Sequence, residues 1–420
     1  MANSTERPIS SLLSAGEGSL RKQLGSGCAG WPRMREPKGV MNQRHKVRLL
    51  RLRRLVVLVA FGLTAVVGGV ADAGASVIAG HNGKIVVGQV FPNIGFTINP
   101  NGAERHSVGP PGSTTCVGWS PNGEKVLCNL WGTDHVQPAT ANPDGSDFRL
   151  LDPRRKLDLF CLSWSPTGTR LLCHSEGMQN PAQAGLYSIR ASDGRDLERL
   201  SATPSGHFDN GYGFSPDGSR VLYGRFNFNS SSDNALFSVR RNGTGKVRLS
   251  PRRLNLIDLG FFDRVEADWS PHGSQVVFAA FIPSLGKTGL FVVDRNGTEL
   301  HRITPPSVGA ISAQWSPRGN LITFTSCCQR IQVFVVHASG HDLRQLTYAL
   351  NGSQSFTPVW SPNGHEVLFQ REFFKGSTPT GGALYRVTRK GRDLDRVTTL
   401  PTFVFAQGGA FFYSWGTASP

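Results

Sequence analysis

The chain has 420 residues, of which 39% are hydrophobic and 18% charged, with 49 Gly and 26 Pro. That balance suits a turn-rich globular protein and argues against a chain that is disordered for most of its length or a long coiled coil. The formal charge of +16 does not point to nucleic acid. Twelve Lys/Arg and four Asp/Glu fall in residues 1–75, leaving 33 basic and 25 acidic residues elsewhere, with no basic stripe interleaved by aromatics.

Residues 1–40 are polar and unpatterned, and read as an extension that is disordered or not native; Met41 is a candidate start. "RHKVRLLRLRR" then leads into the apolar run 55–71, which exits through "ADAGAS". A basic region, an apolar region and small residues are the parts of a secretory signal. Residues 41–75 are therefore read as a signal peptide, with cleavage after Ala73 or Ala75. The alternative is an uncleaved anchor, since seventeen residues lie at the lower limit for a spanning helix. Either reading exports the chain to the periplasm, the exterior or the outer face of the cytoplasmic membrane. Membrane contact is confined to this segment.

From residue 76 onward one phrase recurs. "WSPNG" stands at Trp119, "WSPTG" at Trp164, "FSPDG" at Phe214, "WSPHG" at Trp269, "WSPRG" at Trp315 and "WSPNG" at Trp360; a degenerate copy, "SWGTASP", includes Trp415. The intervals are 45, 50, 55, 46, 45 and 55 residues, a spacing of propellers and arrays. Pro fixes one turn dihedral and Gly accepts the positive φ that returns the chain, so the phrase is first a hairpin device. Apolar strands such as "KVLC", "RVLY" and "EVLF" follow it. A second signature, for example "FTINPNG", "LFVVDRNG" and "LYRVTRKG", alternates into an Asn/Asp-Gly-type turn. Four strands per unit result. The ordered part starts with "NGKIVVG", lacking a Trp strand, and finishes with "FFYSWGT", a Trp strand lacking its unit. Pairing the two closes an all-β propeller of seven four-stranded blades over residues 76–420, with six blades as the competitor.

The repeated "WSPxG" phrases resemble those of the TolB-type, WD-repeat-like β-propeller family, over about residues 81–420. For function the resemblance implies a spread of roles: adaptors, periplasmic assembly factors and non-catalytic gates of serine peptidases.

The two short turns of each blade share one face, and the long, diverse connections share the other. Function on repeat folds lives on such loops. Just upstream of the Trp strands lie Asp158, Asp209, Asp263, Glu266 and Asp268. They form either an acidic mouth for Ca²⁺ or a basic peptide, or solvated charge on the channel wall; no Ca²⁺-loop motif accompanies them. Arg154, Arg155, Lys156, Arg252 and Arg253 supply the opposite sign, for an anionic ligand or as plain surface charge. Trp131, Phe226, Phe228, Phe261, Phe262, Phe373 and Phe374 are loop aromatics suited to an interface.

Cys116 and Cys128 lie three before and nine after Trp119, and Cys161 and Cys173 hold the same offsets around Trp164. Both offsets are equidistant from the turn, so each pair faces across neighbouring strands, as two disulfides or as buried thiols. Cys327 and Cys328 are adjacent, and either form a vicinal disulfide or stay free. No zinc spacing, nucleophile elbow, P-loop or His-Glu-x-x-His occurs. The expectation is an exported, non-catalytic propeller without a metal or other cofactor, binding a protein, peptide or envelope polymer through its loop face. A channel-mouth lyase or hydrolase, or a small-ligand or sugar sensor, is the alternative. Oligomeric state is not legible.

Overall fold

The computed structural model describes residues 79–418 apart from 91–92, 133–134, 152–156, 178–179, 258–266, 327–330, 349–351, 377 and 401–409. Cys327 and Cys328, and both N-terminal segments, therefore lie outside the described residues. Seven antiparallel sheets make up a β-propeller. The inner strands of blades 2, 3, 4, 6 and 7 are Thr114–Trp119, Phe160–Trp164, His207–Phe214, Gln314–Trp315 and Gln354–Trp360. In blade 5 two short pieces, Asn255–Leu256 and Ala267–Trp269, share this position on Gln275–Ile282. Each inner strand is followed outward by three more, the fourth usually two residues long.

Blade 1 closes the ring. Its inner strand is Ala410–Thr417, which pairs antiparallel with Asn82–Val90 and sets Trp415 opposite Ile85. Seven blades, not six, follow from this pairing. No helix among the described residues is long and apolar enough to cross a membrane.

The hairpin phrase does more than turn the chain. In all six copies the glycine has φ between 67° and 74°, and the Ser hydroxyl accepts from the backbone N–H five residues on, as in Ser120–Lys125 at 2.8 Å and Ser361–Glu366 at 2.9 Å. The proline of one blade also lies under the turn glycine of the next. A Cβ at Gly273 would stand 3.2 Å from Pro216 Cδ, and one at Gly168 would stand 3.5 Å from Pro121 Cδ. One phrase thus closes a hairpin and sets the spacing between blades. In the closing strand Gly416 replaces the Ser because the Trp119 ring covers it, 2.6 Å from where a Cβ would be.

The second turn carries a signal that alternation alone does not reveal. Two residues after its glycine stand Glu104, Asp147, Asp196, Glu299, Asp342 and Asp393, all with φ of 50° to 55°, and Gly245 at 61° in blade 4. The spacing Gly-x-Asp/Glu/Gly marks this turn in every blade.

Packing between blades forms the core. Tyr212 and Leu222 of blade 4, for instance, are buried with Trp269, Val276 and Phe278 of blade 5. Fully burying one such side chain stabilises by about 1.5–3 kcal/mol. Blades 4 to 7 place stacked rings between their second and third strands, such as Tyr223–Phe237 at 5.5 Å and Phe278–Phe291 at 5.6 Å. In blades 2 and 3 the first residue of that pair is a cysteine. Cys116 is directly opposite Cys128 and Cys161 opposite Cys173, and both pairs are disulfides. Gly95 makes room for the first, since a Cβ there would meet Cys116 Sγ at 2.5 Å.

Candidate ligand-binding face

Antiparallel order puts the connections between second and third strands, and those between blades, on one face of the ring. The inner strands enter from that side, so their first residues stand at its mouth. Three of the acidic residues expected there are described, and all three are buried. Asp158 precedes the inner strand of blade 3 and accepts from the Val136 N–H at 2.8 Å. Asp209 faces Arg225 across the first two strands of blade 4, with Oδ1 and Oδ2 each 2.6 Å from the guanidinium, and takes the Ser201 hydroxyl at 2.7 Å. Asp268 accepts from the Trp315 N–H of the next blade at 2.8 Å. Solvated charge on a channel wall therefore does not describe these three. At the inner strand ends, backbone N–H groups from a neighbouring strand or blade need acceptors, and short carboxylates supply them.

Uncharged residues make the same links. Asn129 of blade 2 both donates to the Cys161 carbonyl, at 3.0 Å, and accepts from the Cys161 N–H, at 2.8 Å. Gln314 of blade 6 accepts from the Trp360 N–H at 2.9 Å. Burial pulls the Arg225 guanidinium toward its neutral form, but the hydrogen bond and charge of Asp209 outweigh this and raise its pKa.

Beside this network runs an apolar floor. Phe412 of the closing strand lies 6.2 Å from Phe160, which also meets Trp131 at 5.7 Å and stacks on His174 at 5.6 Å. His174 in turn meets the edge of Phe208 at 5.2 Å. His174 is 1% exposed, and neither ring nitrogen has a hydrogen-bond partner among the described residues. Burial alone lowers its pKa to about 3, so the ring is neutral across the physiological range. Two residues on, burial and then the charge of Asp158 hold the Glu176 carboxyl well above the usual carboxylate range.

Of the basic residues expected on this face, Arg252 and Arg253 are exposed on the connection from blade 4 to blade 5. Arg253 borders a recess of about 350 Å³ with Arg248 and Glu299. Arg154, Arg155, Phe261, Phe262, Asp263 and Glu266 lie outside the described residues. Of the other loop aromatics, Phe226 is buried, Trp131, Phe373 and Phe374 are partly buried, and Phe228 is 62% exposed. Among the described residues no cluster of three His, Cys, Asp or Glu could hold a metal.

One cation escaped the sequence reading. Arg371, on the second strand of blade 7 (Glu366–Lys375), is only 6% exposed. It lies over the rings of Phe369 and Tyr385, 5.4 and 5.0 Å from their centroids. Among the described residues its side chain makes one hydrogen bond, from Nε to Ser355 Oγ at 3.3 Å, and meets no carboxylate.

No family model matches the chain. Over 105 residues, 24% of this chain, it is 28% identical to dipeptidyl-peptidase 5 of Porphyromonas endodontalis, a stretch that spans 15% of that relative. Among solved structures, puromycin hydrolase superposes with a TM-score of 0.57 at 14% identity, over 80% of this chain and 57% of that one. TolB proteins are also among its structural neighbours. TolB from Acinetobacter baumannii aligns over 81% of each chain at 14% identity, with a TM-score of 0.48. Likeness at these identities shows the propeller fold and nothing finer.

Proposed function

We propose that this chain is an exported propeller that binds a protein or peptide, or an envelope polymer, through its loop face without catalysing a reaction on it. One observation carries the reading. Phe228, Leu285, Tyr348 and Leu394 are the large hydrophobic side chains exposed among the described residues, and the first three lie on loop-face connections of blades 4, 5 and 6. Exposed aromatic and aliphatic side chains on the same face of three successive blades support an interaction surface there. Arg252 and Arg253 are exposed on the connection from blade 4 to blade 5, and Arg154, Arg155, Phe261, Phe262, Asp263 and Glu266 belong to the loop face by sequence.

The absence of turnover is supported by how the acids are used. Asp158, Asp209 and Asp268 are engaged in holding strands and blades together, which leaves them poorly placed for proton transfer to a ligand. Export is supported by the two disulfides, which persist in oxidising compartments. In this reading residues 41–75 direct export and residues 1–40 are an extension without a binding role.

The test is crosslinked capture from the envelope fraction with the full chain, beside a variant carrying Phe228→Asp, Tyr348→Asp, Arg252→Ala and Arg253→Ala. A partner retained by the native chain, lost by the variant and bound again after purification is the expected result. A partner held equally by both, or none held by either, overturns the reading.

A further inference from the structure

Blades 4 and 7 carry an arginine at the same register, eleven residues after the blade aromatic: Arg225 after Phe214 and Arg371 after Trp360. Blades 2, 3, 5 and 6 carry Leu130, Ser175, Ala280 and Ser326 there. Each arginine faces one inner-strand residue, Asp209 for Arg225 and Ser355 for Arg371. Each also lies over an aromatic floor, Tyr223 at 6.0 Å for Arg225 and the Phe369–Tyr385 pair for Arg371. The surroundings match, and the partner does not.

In blade 4 both carboxylate oxygens grip the guanidinium at 2.6 Å, and Nη2 also donates to the Ala202 carbonyl at 3.0 Å. In blade 7 Ser355 is shorter than aspartate by one bond and brings no charge. Its hydroxyl meets only Nε, at 3.3 Å, so Nη1 and Nη2 have no partner among the described residues. Arg371 is only 6% exposed and has no carboxylate partner among the described residues; a guanidinium so far removed from water is costly without one, and its planar fork matches a carboxylate in two-point contact. Ser355 is the second residue of its strand, at the loop-face mouth.

We propose that Arg371 is a carboxylate-binding site, occupied by an acidic side chain or the C-terminal carboxylate of a peptide that seats between blades 6 and 7. Blade 4 holds the same interaction permanently satisfied by its own Asp209. This proposal rests on the loop face being the binding face and assigns the chemistry recognised there. Arg371 is the specificity element, and Phe369 and Tyr385 hold its fork flat from below.

The probe is sodium acetate, added to the full chain at constant ionic strength against sodium chloride, with the urea midpoint as readout. Acetate is expected to raise the midpoint saturably in the native chain. Arg371→Gln should weaken that response at least tenfold. Ser355→Asp should abolish it and raise the midpoint in chloride alone, because it rebuilds the blade 4 pair. Arg225→Gln should lower the midpoint but leave the acetate response in place. No saturable response in the native chain, an unchanged response in Arg371→Gln, or a lowered midpoint in Ser355→Asp overturns the site. A response to inorganic phosphate but not to acetate overturns its assignment to carboxylates. The titration needs no partner, so its failure leaves the loop-face reading standing, and an empty capture leaves the anion site standing.

Discussion

Replacing His174 by Leu removes a titrating group from the middle of an apolar stack at nearly constant volume. In the unfolded chain its imidazole titrates at 6.5; in the fold its pKa is lowered to about 3. A depressed folded pKa contributes stability that is present above the unfolded value and is lost as pH falls toward the folded one. At pH 5 the unfolded imidazole takes up protons that the folded one refuses, by a factor of about 32 in the binding polynomial, or roughly 2 kcal/mol. At pH 7 the same term is about 0.2 kcal/mol. The native chain should therefore lose about 2 kcal/mol more than His174→Leu on going from pH 7 to pH 5. With a urea slope of about 3 kcal/mol/M, this separates the midpoints by about 0.7 M. The variant should also be no less stable at pH 7, because both nitrogens of the native ring lack a hydrogen bond among the described residues. Equal losses in the two proteins between pH 7 and pH 5 would refute the argument and place a proton partner or water at His174.

Breaking the Asp209–Arg225 pair from one side, with Arg225→Met, leaves a buried carboxylate and should cost about 3–5 kcal/mol by urea unfolding. Asn129→Ala removes both hydrogen bonds to Cys161; a loss of about 2 kcal/mol is expected, and a smaller one would show that packing alone joins blades 2 and 3. Each disulfide closes a separation of 12 residues, so Cys116→Ser with Cys128→Ser should lower stability by about 3 kcal/mol, and full reduction of the native chain, which opens both bridges, should lower it further. Glu176→Gln should gain stability over the native chain as pH rises above 4.5. The raised folded pKa of Glu176 gives a contribution present at low pH that fades as the carboxyl ionises.

Most of the fold was legible because the same local problem is solved in blade after blade. Ser-Pro-x-Gly at Trp119 through Trp360 names the hairpin, and the unpaired Trp415 strand names the closure. Equal offsets around Trp119 and Trp164 placed the cysteines opposite one another. The acidic residues resisted, because what a carboxylate does is set by another strand or blade. Asp158 answers a backbone N–H 22 residues away, Asp209 a guanidinium 16 away and Asp268 an N–H 47 away. Arg371 was overlooked because nothing near it in sequence marks it; its meaning appears only when Ser355 is set beside Asp209 at one register. The Gly-x-Asp/Glu/Gly spacing of the second turn was visible all along, and a search for positive φ outside glycine would have found it.

The closing sheet has a consequence for how the protein is made. Asn82–Val90 leaves the ribosome long before its inner neighbour, Ala410–Thr417. At about 5–20 residues per second, the wait is between about 15 and 65 s. Throughout it, a nine-residue strand whose residues 85–89 are buried in the finished ring presents an unpaired edge. Such an edge invites pairing with another chain. Truncation upstream of residue 410 would make that exposure permanent, so nascent-chain quality control has more to guard at the start of this propeller than at any later blade.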